Sequence, residues 1–333
     1  MAKSVQLPYN VPAFAATQGS AAAGMAIKAH GNAYNQTLNQ AVSINCSRRF
    51  INGFSSPIVT IPNIGLHNYK FIERYGVGFR FTFAFCMDII KHMLDENFYI
   101  YYTCVDDFYM PGKSWYGTRH MYHDGIICGY DDNDDTFSIA GYDINWVFSL
   151  MRIPQECFIK GAKSALDVKE YGGVVAYKIR DNTVVEINEA EMLTYLKKHI
   201  DSDLEKYPID QAGDATGSVV HEYLAMYIDK LKDGSVPYEK MDWRSLRPMW
   251  EHKKCMLDRI KAVEAKNGWN DELSQKYLPV VEKADRLRMM YAVYYKNRND
   301  KLLDKIHNGL LDIGIRDKEL VTEFIEKIER LTL

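Results

Sequence analysis

The chain has 333 residues, 47% of them hydrophobic and 26% charged, with a net charge of −3, which is enough apolar material for one large domain or two ordinary ones. A pI near 6.3 excludes a general coat for phosphate backbones or anionic lipid, so nucleic acid is not an expected partner. Six scattered cysteines without a CxxC pair exclude a disulfide framework or zinc ribbon, and with neither a basic-then-apolar leader nor a long apolar run the expectation is cytoplasmic, with reduced thiols and no membrane span.

Residues 13–31 (AFAATQGSAAAGMAIKAHG) are small and Ala-rich, with Thr17 or Ser20 as N-cap and Gly31 as stop, which predicts a helix able to pack closely on a sheet. Residues 32–75 are broken at Asn52-Gly53, Ser55-Ser56-Pro57 and Pro62-Asn63 and read as irregular surface structure. Apolar residues at helical spacing over 78–95 (Phe85, Ile89, Ile90, Met93) predict a helix ending near Asp95-Glu96-Asn97. The aromatic and β-branched run Phe98–Val105 predicts a buried strand. His123–Tyr130 and Thr136–Asp143, joined by the polar turn 131–135, predict an antiparallel hairpin. Val174–Ile179, turned at Asp181-Asn182 into Val184–Ile187, predicts two more strands. From about 189 the apolar spacing becomes helical, in 219–231, 249–263, 275–295 and 302–331. The fold class expected is α+β, with an N-terminal helix on an antiparallel sheet over 1–188 and a helical region over 189–333.

The Asp-rich turn at 131–135 has calcium-loop composition but neither the downstream Glu nor the internal Gly, and strands flank it, so it reads as a solvated turn. No metal site and no phosphate-cradling glycine loop is expected. His123 opens one strand and Asp143 closes the next, so antiparallel pairing brings both to one edge of the sheet. That is the placement a general base and its orienting carboxylate need. The plain alternative is a structural histidine beside a turn cap, and His120 is the substitute base. Aromatic residues crowd 99–109 and 115–122, which suits a dry channel.

The run Tyr99–Asp143, with Val105-Asp106, Tyr109, His123-Asp124-Gly125-Ile126-Ile127-Cys128-Gly129-Tyr130-Asp131-Asp132 and Ala140-Gly141-Tyr142-Asp143, resembles the butirosin biosynthesis protein H type of papain-like acyltransferases, a group similar to the amide-forming cysteine-protease homologue of closthioamide biosynthesis. The resemblance is clearest over 95–150. It implies a papain-like fold and a Cys-His-Asp site that moves an acyl group from a carrier-protein thioester to an amine, in thiotemplated natural-product biosynthesis. The partners it implies are an acyl or peptidyl carrier protein, whose phosphopantetheine arm is the acyl donor, and an amine acceptor; no other cofactor is implied. His123 would be the general base and Asp143 its orienter.

The family's cysteine stands at the start of the first helix, and 13–31 contains none. Three explanations stay open: a cysteine replaced within 13–26, with Gln18 as an oxyanion donor; Cys46 as nucleophile; or Ser20 acting itself, with an inert site as the limiting case. The other five cysteines read as buried packing residues. Arg and Lys beside aromatics over 243–295 (Arg244, Arg247, Trp250, Lys253, Lys254, Arg259, Arg286, Arg288) offer a face for an acidic carrier or, more plainly, a solvated helix face. Hydrolysis by a cysteine peptidase or amidase, and a catalytically inactive binding module, are the alternative functions.

Overall fold

A computed structural model describes residues 3–53, 55–78, 86–168, 173–209 and 213–332. The chain forms two compact units, one from residues 1–34 and 65–184 and the other from 35–64 and 185–333. The upper boundary falls four residues before the expected 188. The stretch 35–64, expected beside the sheet, belongs instead with the helices.

In the first unit, β4 (Ile72–Gly78), β9 (Gly173–Ile179), β5 (Tyr99–Asp106), β6 (Tyr122–Asp131), β7 (Thr136–Tyr142) and β8 (Phe148–Pro154) pair in that order, and β1 (Ser4–Gln6) joins β6. Every pairing is antiparallel. Strand alternation divides the aromatics between two faces. On one, Tyr177 donates to Ala22 O at 2.7 Å and stacks on Tyr99, against α1 (Gln18–Ala29), which Thr17 caps. Alanines at 21–23 and 26 have no exposed surface, and their small side chains let the helix backbone come within hydrogen-bonding distance of a strand tyrosine. On the other face, Phe158 of α4 (Gln155–Val168) packs edge-on to Tyr102 and Phe137. Neither β8 nor α4 was expected from the sequence. Of the helix expected over 78–95, α3 occupies Cys86–Asp95 and β4 reaches Gly78; 79–85, with Phe85, lie outside the described residues. No strand forms at 184–187, where side chains supply the backbone's partners: Asn35 donates to Val185 O and Asn39 to Glu186 O.

The second unit holds α2 (Tyr34–Gln40), α5 (Glu189–Ile200), α6 (Val220–Lys232), α7 (Arg247–Asn267), α8 (Glu272–Asn297) and α9 (Lys301–Thr332), with a small sheet of β10 (Asp214–Thr216), β2 (Asn45–Ser47) and β3 (Val59–Thr60). Its core is polar at the centre. Asp317 of α9 has no exposed surface, forms an ion pair with Lys253 Nζ at 2.8 Å, and accepts from His199 Nε2 at 3.1 Å and the Tyr277 hydroxyl. His221 Nδ1 donates to Ser218 O and His252 Nε2 to Val42 O. Carbonyl and carboxylate oxygens only accept, so these bonds set each ring's tautomer. His199 Nδ1, His221 Nε2 and His252 Nδ1 are then buried lone pairs without a donor. Burial, with the nearby Lys253 ammonium, holds His221 down to about 3 and His252 well below the usual range; His199 is lowered by burial despite Asp317.

Since these native values lie below the unfolded value of about 6.5, the histidines stabilise the fold above that pH and lose this contribution as pH falls, when only the unfolded chain takes up the protons. Unfolding between pH 6 and 4.5 should bind about two protons from His221 and His252, a slope of roughly 3 kcal/mol per pH unit, read from denaturant midpoints. His221→Phe should make the slope shallower by about one proton. An unchanged slope would mean that His221 charges inside the native fold.

Candidate functional site

The connection from β5 to β6 carries most of the polar chemistry of the sheet unit. Asp106, with no exposed surface, ends β5 and accepts four hydrogen bonds: Phe108 N and Met121 N at 3.1 Å, His120 Nδ1 and Ser164 Oγ at 2.6 Å. Burial alone would raise its carboxyl. The bonds from Ser164, His120 and the two amides outweigh burial and hold it below the usual carboxylate range.

With both ends of the connection tied, the next residue reaches the strand start. Asp107 Oδ2 lies 2.6 Å from His123 Nδ1, the carboxylate side chain 5% exposed and the imidazole 36%. Nδ1–H donates to the carboxylate, so Nε2 carries the lone pair. This is the arrangement of a general base and its orienter, but the orienter is not the one expected. Asp143 spends its carboxylate on its own turn, accepting Asn145 N at 2.8 Å, Val147 N at 2.9 Å and Ser149 Oγ at 3.2 Å. This clamps a hairpin in which Trp146 takes φ +59°. The reason for the exchange is a register shift in β5 between Tyr102 and Val105, which sets Val105 opposite His123 and carries Asp107 to the imidazole. The bulge leaves no mark in the residue pattern. His120, the substitute base, is committed to Asp106 and stacks on Phe108.

The first turn of α1 holds the other expected residues. Ser20 Oγ shares a 2.8 Å hydrogen bond with Thr17 Oγ1, which makes it part of the cap. Gln18 keeps Oε1 buried and without a partner; the expected oxyanion donor is the amide nitrogen at the other corner of the same group. The cation nearby is Lys113, which the sequence reading missed because a lone lysine in a loop carries no signal. Lys113 Nζ and Gln18 Oε1 stand 2.9 and 3.1 Å from where a Cβ on Gly141 would sit; that space exists because residue 141 is glycine. Lys113 is 2% exposed. Burial lowers its ammonium, while Asp107, Asp124 and Asp143 favour the charged form. Asp124 accepts from the Tyr101 hydroxyl at 2.6 Å, and the same hydroxyl lies 3.5 Å from the would-be Cβ of Gly19. Helix start, Tyr101 and Asp124 thus form one cluster.

Cys46 is not part of this cluster. It lies in β2 of the helical unit, without exposed surface, and burial raises its thiol far above the usual range, with Asp214 adding to the shift. A thiol held protonated is neither nucleophile nor metal ligand. Cys104, Cys128 and Cys255 are also buried; Cys157 is partly exposed and its thiol too is raised by burial. The basic residues expected to form a docking face divide between core and local pairs. Lys253 and Arg259 are fully buried, Arg247 pairs with Glu251 at 2.8 Å, and Lys254 and Arg288 lie over the Trp250 ring at 4.6 and 4.1 Å. The described residues hold no group of three or more His, Cys, Asp or Glu placed to bind a metal ion, and no described helix is long and apolar enough to cross a membrane. No protein-family model matches the chain, and no curated protein matches it in sequence.

The two aspartates are separable by experiment. Asp143→Ala should cost about 1–3 kcal/mol by loss of the turn clamp and leave the His123 tautomer, read from ring 15N shifts, unchanged. Asp107→Ala should release that tautomer. The reverse result would restore Asp143 as the orienter.

Proposed function

We propose that the sheet unit is a papain-like acyl-transfer domain working without a cysteine, in the cytoplasm, with the His123–Asp107 pair as general base for direct attack of an amine on a carrier-bound thioester. The observation that carries the reading is the 2.6 Å contact between a nearly buried carboxylate and a partly exposed imidazole, which leaves Nε2 as the atom able to accept a proton. The acyl chemistry rests on the resemblance over 95–150, and a helix packed by its alanines on an antiparallel sheet supports the fold assignment. A covalent route has less support, since the thiols of Cys46, Cys128 and Cys157 are all raised by burial.

In the step proposed, the amine nitrogen attacks the thioester carbonyl while His123 Nε2 takes its proton. The tetrahedral intermediate collapses with cleavage of the carbon–sulfur bond. The proton then passes from the imidazolium to the departing phosphopantetheine thiolate. Bonds and charges balance without a further reactant, and thioester to amide runs downhill.

With an acyl-loaded carrier and an amine, His123→Ala should lower amide formation about 100-fold or more, and Asp107→Asn should lower it less. Intact-protein mass spectrometry should show no acylated chain at any time during turnover. A covalent acyl adduct would replace direct attack with an acyl-enzyme route. Unchanged amide formation in His123→Ala would remove His123 as the base, and amide formation by the unaltered chain no faster than without it would leave the chain as a binding module.

A further inference from the structure

The helical unit contains a cavity of about 500 Å³ between α6 and α9, within the range of small-molecule sites. Ala225, Met226, Leu311 and Ile315 give it an apolar wall, and Ile315 is 61% exposed at its edge. Gly314 also lines it. A Cβ there would stand 2.9 Å from His221 Cβ, so the two helices meet closely at this point and the imidazole becomes part of the wall.

The polar groups of the wall are short of donors. His221 has no exposed surface, gives its Nδ1 proton to Ser218 O, and retains Nε2 as a lone pair without a partner. Glu222 is half-buried, and its carboxyl is raised by that burial and by Asp203, with Lys318 opposing. No hydrogen bond or ion pair engages the Glu222 carboxylate among the described residues. Asp229 at the rim is already held by His307 Nδ1 at 2.7 Å, and Lys318 is exposed. An anion would meet Glu222 and a bare imidazole nitrogen. A neutral apolar molecule would fill the wall but leave the carboxylate with only the exposed Lys318 as counter-charge.

We propose that this cavity binds a small organic ammonium ion with an apolar chain or ring, the ammonium donating to Glu222 and the apolar body lying on Met226, Leu311 and Ile315. The site is independent of the acyl-transfer reading, since every residue in it belongs to the helical unit.

Calorimetric titration of the full chain with n-octylammonium, n-octanol and octanoate at pH 7.5 tests it. Octylammonium should bind at least about 10-fold more tightly than octanol, with octanoate weakest. Glu222→Gln should remove the preference for the amine and leave octanol unchanged. Met226→Trp, which fills the cavity, should abolish binding of both, with circular dichroism confirming a native fold; Ile315→Trp at the exposed rim serves if that variant does not fold. Equal affinity for the three probes, no binding of octylammonium, or binding untouched by Glu222→Gln overturns the proposal.

Discussion

Four hydrogen bonds converge on the Asp106 carboxylate, from two backbone amides at either end of the 107–121 connection, from His120, and from Ser164 on α4. A carboxylate without exposed surface would be costly were it unpaired; here its lone pairs are consumed by groups far apart in the chain. The connection is thereby tied to both the sheet and a helix before any of its own residues act. Asp107 inherits its position from that anchoring, and through it so does the His123 ring. Hydroxyl, imidazole and amides reach a single residue, so the site depends on this aspartate more than on any packing contact near it.

Both units bury ions of both signs. In the sheet unit one ammonium, Lys113, lies in the field of Asp107, Asp124 and Asp143. In the helical unit one carboxylate, Asp317, serves Lys253, His199 and the Tyr277 hydroxyl. Buried ions of this kind rarely add net stability over apolar packing, yet removing one partner is costly because it strands the other. Lys253 and Arg259, which resemble surface charges in a helical sequence, are therefore among the most buried side chains of the molecule. Arg259 spends its guanidinium on Leu38 O and Ala41 O, the free carbonyls around the end of a short helix.

The hairpin at 122–142, the strand at 99–106, the Ala-rich helix and the four long C-terminal helices were legible because each has a strong period and clear punctuation. What was not legible was non-local. Strand β8 carries exposed Arg152 between buried Met151 and Ile153, a short pattern with no turn signal before it that stands out. The strand expected at 184–187 has the right residues, but its carbonyls are taken by Asn35 and Asn39, about 150 residues away. At the site, His123 was readable as a strand-opening histidine. Its partner was not, because a one-residue shift in β5 decides between Asp107 and Asp143. The role of Lys113 depends on the absent side chain of Gly141, which no spacing rule reports.

The discontinuity of the helical unit has a consequence for the order in which the chain is made. Residues 35–64 leave the ribosome early, yet Cys46 and its neighbours pair with 214–216, and Leu38 and Ala41 wait for Arg259. Between them about 120 residues of the other unit are synthesised, so at 5–20 residues per second the early segment spends at least roughly 6–24 s without its partners. That segment contains Cys46, Phe50 and Ile44, all without exposed surface in the finished fold. The thiol that is sealed away in the mature protein is thus open to oxidants and to chaperones during synthesis, and the sheet unit, complete by residue 184, is the part able to form first.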